Sequence, residues 1–488
     1  MTLPLPPPGG LPELLEPVNS HHLSKALAGD LAAIPGGISL SMGYTRQSKR
    51  PTSIMAITNQ YVKDLDREYV FHSWSTQGTL NPLVIAGGEG CTVWDYEGKR
   101  YLDFSSQLVN TNLGHQHPAV VAAIQEQAAT LTTIAPATAN LMRGEAAKRI
   151  IEQAPKGFKK VFFTNGGADA NENAIRMARL FTGRDKVLSS YRSYHGNTGS
   201  AIVATGDSRR VPNEYARGHV HFFTPYLYRS EFSAQNEAEE TERALRHLRR
   251  IIESEGSASI AAILLESLPG TAGILMPSAA YIQGVRALAD EFGILLILDE
   301  VMSGFGRTGK WFALEHYDVV PDLITFAKGV NSGYVPVGGV IISEQLSSYF
   351  DIHFFPGGLT YSGHPLAMAS IVASIDAMRS ERVVENALEI GSNVLGPGLR
   401  ELQQRHSAIG EVRGAGVFWA LELVSDKGTR APLAADKMQA LKAKLLDSGL
   451  LPFIVENRIH VVPPCVVNAQ EVEAGIALLD EAIGSLLG

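Results

Sequence analysis

Residues 294–329 read ILLILDEVMSGFGRTGKWFALEHYDVVPDLITFAKG: an apolar run closed by Asp299, a glycine-rich loop, and a second apolar run ending near Lys328. Five aliphatic residues, Ile294 to Leu298, stand between Gly293 and a carboxylate. Such a run, with no polar alternation, is the pattern of a strand buried on both faces of a parallel sheet. Leu323 to Phe326 carries the same pattern. If the two strands are parallel, Asp299 and Lys328 emerge at one carboxyl edge, where open α/β sheets bind their ligands.

The surrounding chain supports that sheet. Strands are expected at Val161 to Thr164, Lys186 to Ser189 and Ile260 to Glu266, with helices over Ala168 to Thr182 and Ala279 to Phe292. This alternation means βαβ units, an α/β fold with a mainly parallel central sheet. Upstream, Cys91 to Phe104 alternates apolar and polar residues around Glu97-Gly98, a hairpin signal, and a helical run follows over Ala119 to Thr130. Gly206 to Glu239 is mixed in charge, aromatic and poorly periodic, and is expected at the surface near a site mouth. A helix over Leu366 to Met378 precedes a change of pattern. From Glu381 onward, helices such as Asp436 to Asp447 mix with short strands at Gly416 to Leu423 and Ile459 to Val462, an α+β arrangement. The expected organisation is therefore a large domain over 116–380 and a smaller α+β domain over 381–488, joined by 55–115 from the other chain end. Residues 1–54, with Pro, Gly, Ser and His and no sustained period, read as a loose extension. Met55 is a second candidate for the natural start, which the intact mass of the native protein would decide.

Composition narrows the function classes. A chain of 488 residues with 45% hydrophobic and 19% charged residues is an ordinary globular protein, long enough for one large core and a smaller one. A net charge of −8 argues against a nucleic-acid backbone as partner, since that binding draws on clustered Lys and Arg. No apolar run approaches the roughly 20 residues of a membrane span, and the Pro-rich start lacks the basic and apolar regions of a signal peptide. With only Cys91 and Cys465, far apart, no disulfide framework is expected. A reducing compartment, the cytoplasm, follows from that usage.

The polar ends of the apolar runs carry the chemistry. A carboxylate and an amine at one sheet edge suggest pyridoxal phosphate (PLP). A lysine forms a Schiff base with an aldehyde cofactor only after losing its proton, which burial encourages. Lys328 follows LITFA and precedes Gly329, which reads as a short hinge after a buried strand. An unpaired carboxylate at Asp299 would be costly to bury, and a protonated pyridine nitrogen would pair it. A phosphate needs a backbone cradle. FFTNGGADANENAIRMARLF supplies a strand to Thr164, then Asn165-Gly166-Gly167, then a helix opening at Ala168 whose free N–H groups and dipole suit an anion. No GxGxxG occurs there, so a dinucleotide fingerprint is a poor match. Thr360, just before a helix entry, offers a hydroxyl to the same phosphate. Tyr191, Tyr194 and His195 follow a strand, where an aromatic ring can stack on a flat cofactor with Val301 on the opposite face. Glu266, closing AAILLE, is a third acid at a strand end and a candidate hydrogen-bond partner near the ring. Each residue alone has a bland reading: surface lysine, helix cap, core aromatic. No metal ligand set is read.

Together these blocks resemble the class III, or ω-, aminotransferases among the fold type I PLP enzymes. DEV, GFGRTG, PD and AKG stand in the family's order within 294–329, and TNGGADANE, SYHGNTGSA, LTYSGHP and VRGAGVFWALEL are similar to its other blocks. The resemblance covers roughly Asp66 to the C-terminus. It implies that Lys328 carries the cofactor and shuttles the proton, that Asp299 pairs the pyridine nitrogen, and that Tyr194 and Val301 sandwich the ring. It further implies that Gly166, Gly167 and Ala168 bind the phosphate, with Thr360 reaching it from the other subunit of a homodimer. Three departures stand out. Gly166 and Ala168 stand where many members have Ser or Thr in the phosphate turn, so more of the phosphate binding falls to backbone amides. The family's Glu-Pro pair is Glu266-Ser267 here, and the arginine that some members use for carboxylates falls at Phe453. Arg458 lies nearby and is, with Trp74 and Phe453, a candidate substrate-pocket residue that could substitute for that arginine, although an exposed strand arginine is the main expectation. Trp74 and Phe453 suggest a pocket with aromatic walls. The expected reaction is transamination of an ω-amino acid, taurine-like compound, diamine or primary amine with a keto acid such as pyruvate or 2-oxoglutarate. A PLP aminomutase or decarboxylase, or a non-catalytic PLP-binding protein, is the alternative on the same scaffold.

Overall fold

The strand ending at Asp299 lies inside a seven-stranded sheet ordered Phe158–Thr164, Gly338–Ser343, Leu323–Phe326, Leu295–Asp299, Ile260–Glu266, Lys186–Ser190, His219–Phe222. This is a computed structural model, and it describes residues 57–214 and 216–487. The expected extension over 1–54 and the start at Met55 lie outside them. The four neighbouring pairs from Leu323–Phe326 to His219–Phe222 are parallel, and only Gly338–Ser343 runs against its neighbours. The fold is α/β with a mixed, mostly parallel central sheet.

Every residue of Leu295–Asp299 is buried, and alternation explains how. Successive strand side chains point to opposite faces. Leu296 and Leu298 join one core with Leu265, Ile324 and the helix residues Tyr281, Ile282 and Val285. Leu295 and Ile297 join a second core with Leu264, Leu323 and the helix residues Ala170, Ala174 and Met177. Helices therefore cover both faces, which is why the run is apolar throughout. Helix Gly167–Thr182 has Asp169 in its first turn and stops at Gly183, whose left-handed backbone (φ +67) lets its N–H reach Arg179 O at 2.9 Å. Helix Ala279–Phe292 starts where Ser278 accepts from Tyr281 N and ends at left-handed Gly293.

Two smaller sheets complete the described residues. One pairs the expected hairpin, Thr92–Trp94 with Arg100–Asp103, and adds Leu450–Leu451 in parallel, so segments from the two chain ends share one sheet. The other is antiparallel, ordered Ile409–Ala415, Phe418–Asp426, Arg458–Val461, Phe453–Val455, with Ala431–Pro432 on its second strand. Residues 57–488 form one compact unit. Among the described residues, no helix is long and apolar enough to cross a membrane.

The segment 206–239 is more ordered than its composition indicates: a 3-10 turn over Ser208–Asn213, then the edge strand His219–Phe222. The reversed strand Gly338–Ser343 and helices Asn59–Tyr69, Leu141–Ile151 and Glu237–Glu255 are further elements that the sequence reading did not separate.

The GFGRTG loop has a structural task. Glu300, fully buried, accepts from Ser303 Oγ (2.7 Å), Ala313 N (3.0 Å) and Leu314 N (2.7 Å), closing the loop on itself. Gly306 (φ +93) and Gly309 (φ +80) make its turns. Arg307, also fully buried, donates to Asn112 Oδ1 (2.6 Å), Ser106 Oγ (3.2 Å) and Pro463 O, tying the loop to segments from both chain ends.

Candidate active site

Five strand ends converge at the carboxyl edge of the main sheet. Register places Asp299 directly beside Glu266 on one neighbour and Thr325 on the other. Lys328 opens the turn that follows Phe326, and Gly166 caps the helix that follows Thr164. Tyr194 and His195 come from the loop after Ser190. These residues enclose an inner cavity of about 320 Å³, lined by Gly166, Gly167, Ala168, Tyr194, His195, Glu266, Asp299, Val301 and Lys328. The topology thus brings together all the residues predicted to bind the cofactor except Thr360, which is exposed and does not line this chain's cavity.

Asp299, 3% exposed, is not the unpaired acid that the sequence suggested. Its Oδ2 faces His195 Nδ1 at 2.8 Å and accepts from Asn171 Nδ2 at 2.7 Å, while Oδ1 accepts from Val301 N at 3.0 Å. Asn171 is itself fixed, donating to His195 O (2.8 Å) and accepting from Thr325 Oγ1 (2.7 Å). These contacts fix where the carboxylate points. With Nδ1 bonded to Asp299, His195 keeps a buried Nε2 that has no partner. Sequence reading missed Asn171. Its signal was position: one helical turn after Gly167, it faces the same edge.

Glu266 accepts from Tyr194 N (2.9 Å) and Gly270 N (2.8 Å), so it fixes the two loops beside the cavity. Burial pushes its carboxyl above the ordinary glutamate range, and Asp299 beside it adds to the rise. Lys328 moves the other way. Burial depresses its amine, against the pull of Asp299 and Glu266 and with help from Arg209. That favours the uncharged, nucleophilic amine. Its backbone is left-handed (φ +47), a strained state for a side-chain-bearing residue. Gly329 is buried and is no hinge: a Cβ there would fall 2.3 Å from Asn112 Nδ2. Gly167 similarly permits a close approach, since its Cβ would meet Val301 Cγ1 at 2.7 Å.

Outside this cavity lies a second one of about 590 Å³, sharing Leu108, Tyr194, Thr271, Met302 and Lys328 with the first. Trp74, 65% exposed, and Phe453 line it, as the aromatic-wall reading expects. Trp74 stands edge-on to Tyr194 (centroids 6.5 Å), and Phe453 edge-on to His460 (4.9 Å). Arg209, which the sequence reading passed over, lies 3.9 Å above the Tyr194 ring. Arg458 also lines this cavity with a side chain only 15% exposed, which overturns the expected exposed strand arginine. Leu108 sits in a strained turn, since Ser106, Gln107 and Val109 all have positive φ.

A lysine with a depressed amine beside two buried acids, with a helix N-terminus at the same sheet edge, is an arrangement suited to an anionic aldehyde cofactor. The sequence pattern described as aminotransferase class-III matches residues 74–483. The chain is 35% identical to the 5-aminovalerate aminotransferase DavT of Pseudomonas aeruginosa, over 84% of this chain and 95% of that protein. It is 30% identical to the taurine–pyruvate aminotransferase of Bilophila wadsworthia, over 86% and 96%. Among solved structures, the taurine:2-oxoglutarate aminotransferase of Bifidobacterium kashiwanohense, in complex with PLP and glutamate, superposes with a TM-score of 0.85 at 43% identity, covering 88% of this chain and 99% of that one. The chain belongs to the class III aminotransferases, PLP-dependent transaminases of fold type I.

The residues present fit that cofactor. The inner cavity has a helix N-terminus for an anion, the oriented Asp299 carboxyl group for a ring nitrogen and a single lysine among its described lining residues.

Proposed function

We propose that this chain transfers the amino group of an ω-amino acid, a taurine-like amine, a diamine or a primary amine to a keto acid such as pyruvate or 2-oxoglutarate, with the following division of labour. The observation that carries the reading is the depressed Lys328 amine in one cavity with Asp299 and the Gly166-Gly167 helix start. Bound PLP supplies an electron sink for the charge that develops on the substrate carbon. Lys328 Nζ would hold the cofactor at rest and would move the proton on and off the substrate carbon during turnover. Asp299, held by His195, Asn171 and the Val301 amide, keeps the ring nitrogen protonated. Gly166, Gly167 and Ala168 bind the phosphate through backbone N–H groups. Tyr194 and Val301 flank the ring, and Glu266 holds the Tyr194 and Gly270 loops in place.

Exposed Thr360, together with the neighbouring exposed side chains Ile352, Phe354 and Tyr361, supports a homodimer in which Thr360 completes the partner subunit's phosphate site. The organisation we propose is a cofactor domain over 116–380, with 55–115 and 381–488 forming the smaller domain; the strand pair that joins Arg100–Asp103 to Leu450–Leu451 supports it. Two buried free thiols, Cys91 and Cys465, agree with a cytoplasmic setting.

The test is a half-reaction. Amines from each class, added to the PLP-loaded protein without keto acid, should remove the long-wavelength absorbance of the bound cofactor, and a keto acid should restore it. A protein that binds PLP but shows no change across the panel contradicts the reading.

A further inference from the structure

The outer cavity has three arginines among its described lining residues, and they are not equivalent. Arg192 pairs with Glu231 (2.5 Å) and lies against Tyr226. Arg209 reaches both oxygens of Asp207 from Nε (3.0 Å each) and is laid flat on Tyr194, so its charge is matched and its plane is fixed. Arg458 differs. Its Nε is buried without a partner, and its one acidic contact is Glu456, two residues back on the turn and 71% exposed.

Among the described residues, the other groups near Arg458 are already engaged or uncharged. Glu422, opposite on the neighbouring strand, is committed to Arg413 (2.9 Å), Arg229 (2.5 Å) and Tyr226 (2.5 Å). His460, on the same strand, is kept uncharged, since burial first and then Arg458 and Arg413 push it down to about 3. The backbone is shaped to admit the arginine. Gly273, left-handed at φ +120, leaves space that a Cβ would fill 2.6 Å from Arg458 Cδ and 2.5 Å from Arg413 Nη2. Thr271 and Ala272, on the same loop, form the cavity wall. A half-satisfied guanidinium in a shielded pocket that also contains Lys328 is a seat for an anion.

We propose that Arg458 receives the far anionic group, carboxylate or sulfonate, of the amine donor, with exposed Glu456 as the internal anion that the substrate displaces. This rests on the transaminase reading above and narrows its donor classes to amines with an anionic end. A carboxylate can also arrive on the keto acid, so the experiment separates the two half-reactions.

The test uses the PLP-loaded protein and stopped-flow absorbance, with taurine and β-alanine against n-propylamine as donors and no keto acid present. In the parent, the anionic amines should be preferred. Arg458→Gln should lower the ratio of second-order rate constants, taurine over propylamine, by about 10- to 100-fold, the size of one charged hydrogen-bonding partner. The loss should appear in the concentration dependence for taurine, and Arg458→Lys should recover part of it. Glu456→Gln, a change at an exposed side chain, should lower the taurine concentration needed for half-maximal rate by about 2- to 5-fold, because a competitor is gone. A parent with no anionic preference, a ratio in Arg458→Gln within threefold of the parent, or equal losses on both amines would overturn the assignment. So would a loss confined to the reverse half-reaction with 2-oxoglutarate, which places the acceptor at Arg458 instead. If the parent reacts with no amine at all, it is the transaminase reading that fails, and that outcome appears before any substitution is made.

Discussion

The two cavities that meet at Lys328 are built on different principles. The inner one is assembled from the ends of sheet strands, whose positions are fixed by ladder register, and its acids are satisfied several times over. The outer one is assembled largely from loop segments, among them those around Trp74, Arg209, Thr271 and Phe453, and it leaves an arginine nitrogen without a partner. Rigid positioning serves a cofactor that never changes. Looser loops and spare hydrogen-bonding capacity serve a substrate that must enter and leave.

The sharpest way to break this contrast is to change the inner cavity. Lys328→Ala should reduce turnover by about 10⁴-fold or more, because the amine that holds the cofactor and moves the proton is removed. Steady-state rates and the absorbance of the bound cofactor check it, and near-parental turnover would sink the inner-site assignment. Asp299→Asn keeps the shape of the carboxylate but not its charge. It should cost about 10²- to 10³-fold in rate, the usual size of one preorganised electrostatic contact. Fold should survive, since an amide oxygen still accepts from Asn171, and far-ultraviolet circular dichroism would verify that.

The same contrast explains what could be read from the sequence. Leu295–Asp299 and Leu323–Phe326 were legible because burial on both faces leaves an unbroken apolar run, and a polar residue ending such a run has to be there for a reason. Asn171 and Thr325 were not, because a polar residue within a helix or strand signals nothing until tertiary structure shows which way it faces. Gly338–Ser343 was missed for a related cause: GGVIIS is apolar, but nothing local sets a strand's direction. Arg209 and Arg458 depend on loops whose course is decided by contacts distant in sequence, such as Arg413 Nε to Gly273 O at 2.7 Å. Arg458 was therefore left between solvent and the substrate pocket, and the fold turns it inward.

Outer-cavity changes should be milder and should fall on substrate affinity. Phe453→Ala removes a wall and the edge contact to His460, and should raise KM for donors by about 3- to 10-fold with kcat changed less. A fall in kcat at constant KM would mean instead that the wall acts on the chemistry, and the two cavities would have to be treated as one.

The smallest effect concerns the stability that the inner cavity gives up. Burial raises Glu266 above the ordinary glutamate value of 4.5. Between 4.5 and its folded value, the folded chain holds a proton that the unfolded chain has released, so stability declines as pH rises through that window. Glutamine at this position cannot titrate. Glu266→Gln carries a constant penalty, because one of the Tyr194 and Gly270 N–H groups then faces an amide NH₂ instead of an oxygen. Superimposed on that penalty, the stability difference should move in the variant's favour as pH climbs above 4.5 and level off above the folded value. Urea unfolding of the cofactor-free proteins across that range measures it. A difference that does not vary with pH would mean that Glu266 ionises in the fold as easily as in water. The inner cavity would then hold its acid at no cost to stability, and only the outer one would store unsatisfied charge.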